Sequence, residues 1–216
     1  QASYSREIYR RGIKLITLES LMSIDKNDLQ EASKTIDKND LPLIIDWLSE
    51  KDDKIRYQAL LLLQNRSLYF DDVYLFWEIF VLKLKSSNSY QRSIGLMLIA
   101  ENTKWDKDNR FDDIKDEYFA ILNDEKPITV RQCIQSLSKI IPYKNHLHME
   151  IANKLMYINI TKVKETMRKL VLLDILGVLA MIRKYQENDD IENYIQHALT
   201  GGFLDKKSIK QVESML

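Results

Sequence analysis

Turn-forming residues are scarce in this 216-residue chain, which contains only five glycines and three prolines. A β-sandwich or β-barrel needs many tight turns, and such turns depend on these two residue types. Hydrophobic residues make up 45% of the sequence and charged residues 30%, a balance typical of a folded protein. The composition therefore favours helices that are joined by short loops.

Cysteine is nearly absent, since Cys133 is the only one. A single chain can then form neither an internal disulfide nor a metal site that is built on cysteines. We expect Cys133 to be a core residue, the usual role of a lone cysteine on an apolar helix face. His146 and His148 are two positions apart and so do not share a helix face for metal binding. We expect no metal site.

Long apolar runs are also missing. The longest, Leu170–Ile182, has 13 residues and is interrupted by Asp174, whereas a membrane-spanning helix needs about 20 apolar residues. Basic residues interrupt every apolar stretch of Gln1–Asp25, so no signal-peptide pattern is present there. These features predict a cytoplasmic protein that does not cross a membrane.

Catalytic and nucleotide-binding motifs are not found. The sequence has no phosphate-binding glycine loop, dinucleotide fingerprint, nucleophile elbow or zinc-protease helix. We expect a non-enzymatic protein without a cofactor.

Two near-identical segments, Ser23–Leu29 (SIDKNDL) and Thr35–Leu41 (TIDKNDL), have the Asp/Asn pattern of a calcium loop. Neither has the glycine that such a loop requires at its sixth position, and the twelfth positions are Ile36 and Leu48 instead of glutamate. We therefore reject calcium binding and interpret the segments as helix caps.

Charge is balanced overall but uneven along the chain. Lys plus Arg and Asp plus Glu both number 32, and proteins that neutralise several phosphates usually carry a basic excess. Residues 25–54 are mainly acidic, whereas residues 139–169 hold seven bases against two glutamates. The bases are Lys139, Lys144, Lys154, Lys162, Lys164, Arg168 and Lys169. Nucleic acid is thus an unlikely but open partner class.

Four arginines recur at similar intervals: Arg56, Arg92, Arg131 and Arg168. Each lies near the start of a segment that is predicted to be helical, and each follows another helical segment. A period of this length is typical of stacked helical hairpins. Small residues, Ala59 and Gly95, follow two of the arginines by three positions, which predicts close contact between helices.

The segment Leu48–Ala59 (LSEKDDKIRYQA) resembles the HEAT family of armadillo-like solenoids in its leucine, acidic turn, aliphatic residue, arginine and alanine. The later repeats depart from this pattern, since Gln91 replaces the aliphatic residue and no acidic turn precedes Arg168. The stretches Asn88–Leu96 and Arg131–Ser136 also resemble small bacterial HEAT-repeat proteins of unassigned function.

The resemblance implies an all-α fold, a short right-handed superhelix of stacked antiparallel helical hairpins. Its second helices would line a concave face. We expect an N-terminal helical cap at 1–39, with a helix over 5–22 and a short one over Leu29–Ile36. Four hairpins at 40–182 and a C-terminal capping hairpin at 183–216 would complete one continuous domain.

The favoured function is a non-enzymatic scaffold that binds a protein or peptide in the concave groove. Groove positions are predicted one, five and eight residues after each arginine. The corresponding residues are Tyr57, Leu61, Gln64, Ser93, Met97, Gln132, Ser136, Lys139, Lys169 and Leu173. We interpret the arginines as structural, with Glu50, Asp52 and Glu125 as candidate partners. Asp174 is expected to bond a base from a neighbouring repeat.

Two alternatives remain open at this stage. In outline the chain resembles the alkylation-repair glycosylases, which implies a nucleic-acid-binding protein that would use Trp105 and Asp106 at a damaged base. The charge asymmetry also allows weak head-to-tail self-association of an otherwise monomeric chain.

Overall fold

The computed structural model describes residues 15–216, whose regular secondary structure is entirely helical, with no β-strand among them. These residues fall into two compact units, one that ends at Leu75 and one that begins at Phe76. The boundary between the two units lies within residues 40–182, the segment predicted to form four hairpins. The limits at 39/40 and 182/183 stay predictions. Across residues 15–216, no helix combines the length and apolar character that crossing a bilayer requires.

The first unit is organised around one long helix. Its elements are α1 (Leu18–Ser23), α2 (Leu29–Thr35), α3 (Leu41–Trp47) and α4 (Asp53–Tyr69). Helices α1, α2 and α3 all pack against α4. The core of this unit is aliphatic and includes the buried Leu21, Ile44, Leu62 and Leu63.

Helix α1 begins later than predicted. Residues 5–14 of the predicted helix lie outside the described residues, and residues 15–17 are not helical. The physical reason is the cap at Thr17, whose Oγ1 accepts a hydrogen bond from the backbone N–H of Ser20. The short helix predicted over Leu29–Ile36 is confirmed as α2.

The duplicated segments make the same local turn. Asp25 Oδ1 accepts the N–H of Asn27 at 2.9 Å, and Asp37 Oδ1 accepts the N–H of Asn39 at 2.8 Å. The second of these turns caps the 3₁₀ helix Lys38–Asp40, which leads into α3. The capping interpretation is thus confirmed for Asp37, whereas Asp25 closes a turn ahead of α2.

The second unit contains eight α-helices within its described residues. They are α5 (Trp77–Leu84), α6 (Ser89–Asn102), α7 (Arg110–Ala120), α8 (Pro127–Ile140), α9 (His148–Met156), α10 (Glu165–Arg183), α11 (Asp189–Thr200) and α12 (Lys206–Glu213). Four single 3₁₀ turns lie in the connections between successive helices from α6 to α10, at Thr103–Trp105, Ile121–Asn123, Asn145–Leu147 and Ile160–Lys162.

The helices of the second unit pack closely against one another. Helix α8 lies between α6 and α10, and α12 packs on α10. Helix α5 also packs against α7, and α9 packs against α11. A 3₁₀ turn, Val73–Phe76, precedes α5. Just before this turn, Arg66 binds the carboxylate of Asp72 at 2.7 Å.

Gly95 marks the closest approach between α5 and α6. A Cβ atom at this position would lie 2.6 Å from the carbonyl oxygen of Phe80 and 2.9 Å from Cβ of Lys83. Only glycine leaves room for such a contact. The predicted close packing after Arg92 is therefore confirmed.

The repeated arginines are structural, as predicted. Arg56 donates to the carbonyls of Glu50 and Lys51 at 2.7 and 2.8 Å, and it pairs with the carboxylate of Asp53. Arg92 binds Asp124 at 2.6 Å. The carboxylates that pair with Arg56 and Arg92 belong to Asp53 and Asp124, each next in sequence to a predicted partner, Asp52 or Glu125, whereas Glu50 contributes its backbone carbonyl.

Asp174 has the partner type that the sequence predicts. Arg131 Nε lies 2.6 Å from Asp174 Oδ2, and Gln135 Nε2 donates to Oδ1 at 3.0 Å. The carboxylate is therefore paired across helices α8 and α10. At the C-terminal end, α11 stops at Gly201 and Gly202, and Gly202 has a φ of +82°.

Candidate functional site

The ten predicted groove residues all lie on the four helices that carry the repeated arginines, the predicted second helices. Three are on α4 of the first unit, and seven are on α6, α8 and α10 of the second unit. In the first unit they are Tyr57, Leu61 and Gln64; in the second they are Ser93, Met97, Gln132, Ser136, Lys139, Lys169 and Leu173.

Ser93 and Ser136 are buried between helices. Ser93 is 7% exposed, and its hydroxyl lies 3.4 Å from Thr129 Oγ1. Ser136 is 8% exposed and lies beside the Tyr118 side chain. Both hydroxyls thus face neighbouring helices, because a small side chain fills the space where two helices pack closely.

The remaining predicted residues reach the surface to different extents. Tyr57 is 58% exposed, whereas Leu61, Gln64, Met97, Gln132 and Leu173 are half-buried. Lys139 and Lys169 are exposed, but each forms an ion pair, with Glu101 at 3.4 Å and with Asp205 at 3.0 Å. A shallow depression of about 380 Å³ includes Leu173 among its lining residues.

A larger cleft, of about 790 Å³, lies in the second unit among α7, α8, α9 and the start of α10. This volume is within the range of known ligand sites. Its apolar lining comes from α7, α8, α10 and the connecting segments: Phe119, Leu122, Pro127, Val130, Ile158, Val163 and Val171. None of the ten predicted groove residues lines it.

Two of the repeated arginines fix the walls of this cleft. On one wall, Asp124 is held by Arg92 and by the backbone N–H of Lys126 at 2.9 Å. On the other wall, Arg168 donates to the carbonyls of Val163 and Thr161 at 2.9 and 2.8 Å. The cleft is therefore bounded by segments that charged hydrogen bonds hold in place.

The only carboxylate among the lining residues is that of Asp124. Burial by itself would raise the pKa of this carboxyl, but the hydrogen bonds from Arg92 and from the N–H of Lys126 hold the pKa below its usual range. Asp124 is therefore ionised, and its charge is balanced by Arg92 rather than by the cleft lysines.

The structure separates the seven bases of residues 139–169 into two groups. Four of them already have protein partners: Lys139 with Glu101, Lys144 with Asp106, Lys169 with Asp205, and Arg168 with backbone carbonyls. The other three are Lys154, Lys162 and Lys164, and all three line the cleft. They are exposed, and no carboxylate of residues 15–216 pairs with them.

The Trp105–Asp106 pair, which the nucleic-acid alternative requires, is part of the scaffold. Asp106 is 5% exposed, accepts the N–H groups of Arg110 and Phe111 at 2.8 and 3.0 Å, and lies 2.8 Å from Lys144 Nζ. The carboxylate thus caps α7 and neutralises a buried lysine. It is not positioned at an open surface.

Cys133 and the two neighbouring histidines have structural positions. Cys133 is fully buried, and burial raises the pKa of its thiol, so the expectation of a core residue is confirmed. His146 is exposed and lies 2.9 Å from Asp112. His148 is buried, with its Nε2 2.7 Å from the carbonyl oxygen of Ile141.

No family model, curated protein or solved structure gives a significant match to the chain. Function must therefore be inferred from the molecule's own geometry. Sequence reasoning missed the cleft because its lining combines the ends of helices with a loop. The available signal was the loop Tyr157–Lys164, in which two lysines alternate with apolar residues.

Proposed function

We propose that this chain is a non-enzymatic, HEAT-like repeat scaffold that binds a segment of a partner protein in the cleft. The observation that carries the proposal is the cleft itself, an apolar surface bordered by three lysines that lack carboxylate partners in residues 15–216. An apolar floor stabilises a bound aliphatic or aromatic side chain, and a charged rim gives orientation and specificity.

The polar lining also suits a peptide chain. Asn123, Asn153 and Asn159 line the cleft, and their amides can both donate to and accept from a peptide backbone. Tyr157, at the rim, is 91% exposed, and tyrosine is a residue type that is enriched in protein interfaces. The second-helix surface with Met97, Gln132 and Leu173 lies outside this cleft.

A selection from a random-peptide library tests this proposal. The bait is the wild-type protein, and Val130→Arg places a charged side chain in the apolar lining of the cleft. Leu173→Arg is the matched control, because Leu173 is half-buried on the second-helix surface. We expect enriched peptides that lose binding to Val130→Arg but keep binding to Leu173→Arg.

The opposite pattern, with loss only in Leu173→Arg, would move the binding site to the predicted concave groove. A library that yields no peptide above background would argue against protein binding. Circular dichroism and urea unfolding of both variants establish that any loss of binding is not a loss of folding.

A further inference from the structure

The three cleft lysines come from three different elements. Lys154 is on α9, Lys162 ends the 3₁₀ helix Ile160–Lys162, and Lys164 is the N-cap residue of α10. Folding therefore brings together three positive charges from different secondary-structure elements. Such a concentration of one sign attracts and orients an anionic ligand.

The charges lie beside an apolar surface rather than along an open polar face. Lys154 Nζ is 5.4 Å from the centre of the Phe119 ring, and Phe119 belongs to the buried apolar lining. A ligand that reaches the lysines must therefore also contact aliphatic and aromatic groups. The complementary ligand carries negative charge next to an apolar side chain.

From this arrangement we infer that the cleft binds an acidic protein segment in which carboxylates flank an aliphatic or aromatic side chain. The inference rests on the proposed binding function and specifies the chemistry of the partner. The carboxylates pair with Lys154, Lys162 and Lys164, while the apolar side chain packs on the half-buried Val130, Ile158 and Val163.

A carboxylate-bearing segment fits these observations better than a phosphate backbone does. Duplex-binding proteins commonly make about 6–10 phosphate contacts, and the cleft offers only three free lysines. The other four bases of residues 139–169 are held by protein groups. The apolar part of the lining offers no hydrogen bonds to a phosphodiester chain, whereas it can pack against an aliphatic side chain.

The test uses four fluorescent peptides of about ten residues, a length that spans a cleft of this size when extended. One contains Asp and Glu around a central Leu, and a second replaces the acids by Asn and Gln. A third keeps the acids and replaces Leu by Ser, and the fourth carries both replacements. A single-stranded DNA oligonucleotide and a duplex are measured in the same anisotropy assay.

The variant Lys154→Gln/Lys162→Gln/Lys164→Gln removes the cleft charges, and all three side chains are exposed, so folding is preserved. The matched control, Lys184→Gln/Lys206→Gln/Lys207→Gln, removes the same charge from exposed lysines away from the cleft. We expect the acidic Leu peptide to bind best and to lose about tenfold in affinity with the cleft variant. The control triple variant should bind as the wild type does.

Four outcomes would overturn the inference. Equal binding of the neutral and acidic Leu peptides would show that the partner need not be acidic. If Val130→Arg then abolished the binding of both peptides, the proposed binding function would stand without the inference. Binding of oligonucleotide alone, with a steep salt dependence, would contradict both statements. No binding of any peptide at millimolar concentration would also contradict the inference. Concentration-dependent self-association that the cleft variant abolishes would identify the occupant as a second copy of this chain.

Discussion

A guanidinium group offers five N–H donors, and the repeated arginines distribute these donors between backbone carbonyls and carboxylates. Arg168 uses carbonyls, Arg131 uses a carboxylate, and Arg56 and Arg92 use both. The lack of an acidic turn before Arg168 therefore does not leave this side chain without a role. At the residue scale, the position of each arginine is regular while its partners vary.

Gly95 gives a prediction about stability. A glycine-to-alanine change in a helix usually stabilises by about 0.5–1 kcal/mol. Gly95→Ala should instead destabilise by about 1–3 kcal/mol, because the new methyl group would lie 2.6 Å from the Phe80 carbonyl oxygen. Gly177→Ala is the control, since nothing lies within 4 Å of its added Cβ. Urea unfolding of both variants measures the difference, and equal effects would refute the close approach.

Asp124 gives a prediction about pH. Its pKa is lower in the folded protein than in the unfolded chain, so ionised Asp124 adds stability above the unfolded value of about 4. This contribution is lost as the pH falls through the lowered folded pKa. Asp124→Asn should therefore reduce stability by about 1–3 kcal/mol at pH 7, and its curve should converge with that of the wild type at low pH.

Urea unfolding between about pH 2 and pH 7 compares the two proteins over this range. Lys126→Ala is a comparison variant, because it removes only the smaller effect of this exposed charge on the Asp124 pKa and leaves the backbone N–H in place. Parallel curves for wild type and Asp124→Asn would mean that Arg92 does not stabilise the ionised carboxylate.

At the scale of helices and loops, the second helices were the most predictable elements. The arginine spacing places them near their observed positions in α4, α6, α8 and α10. First helices were less predictable, since 3₁₀ turns such as Val73–Phe76 and Ile121–Asn123 shorten them. The cleft could not be predicted because it depends on which lysines find partners in other helices, and that is a property of tertiary packing.

The loop that forms one wall of the cleft should depend on Arg168. Removing its guanidinium group in Arg168→Ala leaves the carbonyls of Thr161 and Val163 without these charged donors. Amide hydrogens of residues 157–164 should then exchange about tenfold faster, which corresponds to about 1.4 kcal/mol of local stability. Lys169→Ala, in the adjacent position, is the control. Unchanged exchange in Arg168→Ala would show that the loop is held by other contacts.

At the scale of the whole molecule, a formal net charge of zero conceals an uneven use of charge. Four of the seven bases of residues 139–169 bind protein groups, and the other three line one cleft. Net charge alone therefore could not predict the class of ligand. The distribution of partners among the lysines favours a protein segment over nucleic acid.

The most direct test of the central claim is methyl NMR of the protein during titration with the acidic Leu peptide. Binding in the cleft should shift the methyl signals of Leu122, Val130, Val163 and Val171, which line it. The signals of Met97 and Leu173, on the second-helix surface, should move little. Shifts confined to Met97 and Leu173 would contradict the assignment of the cleft as the binding site.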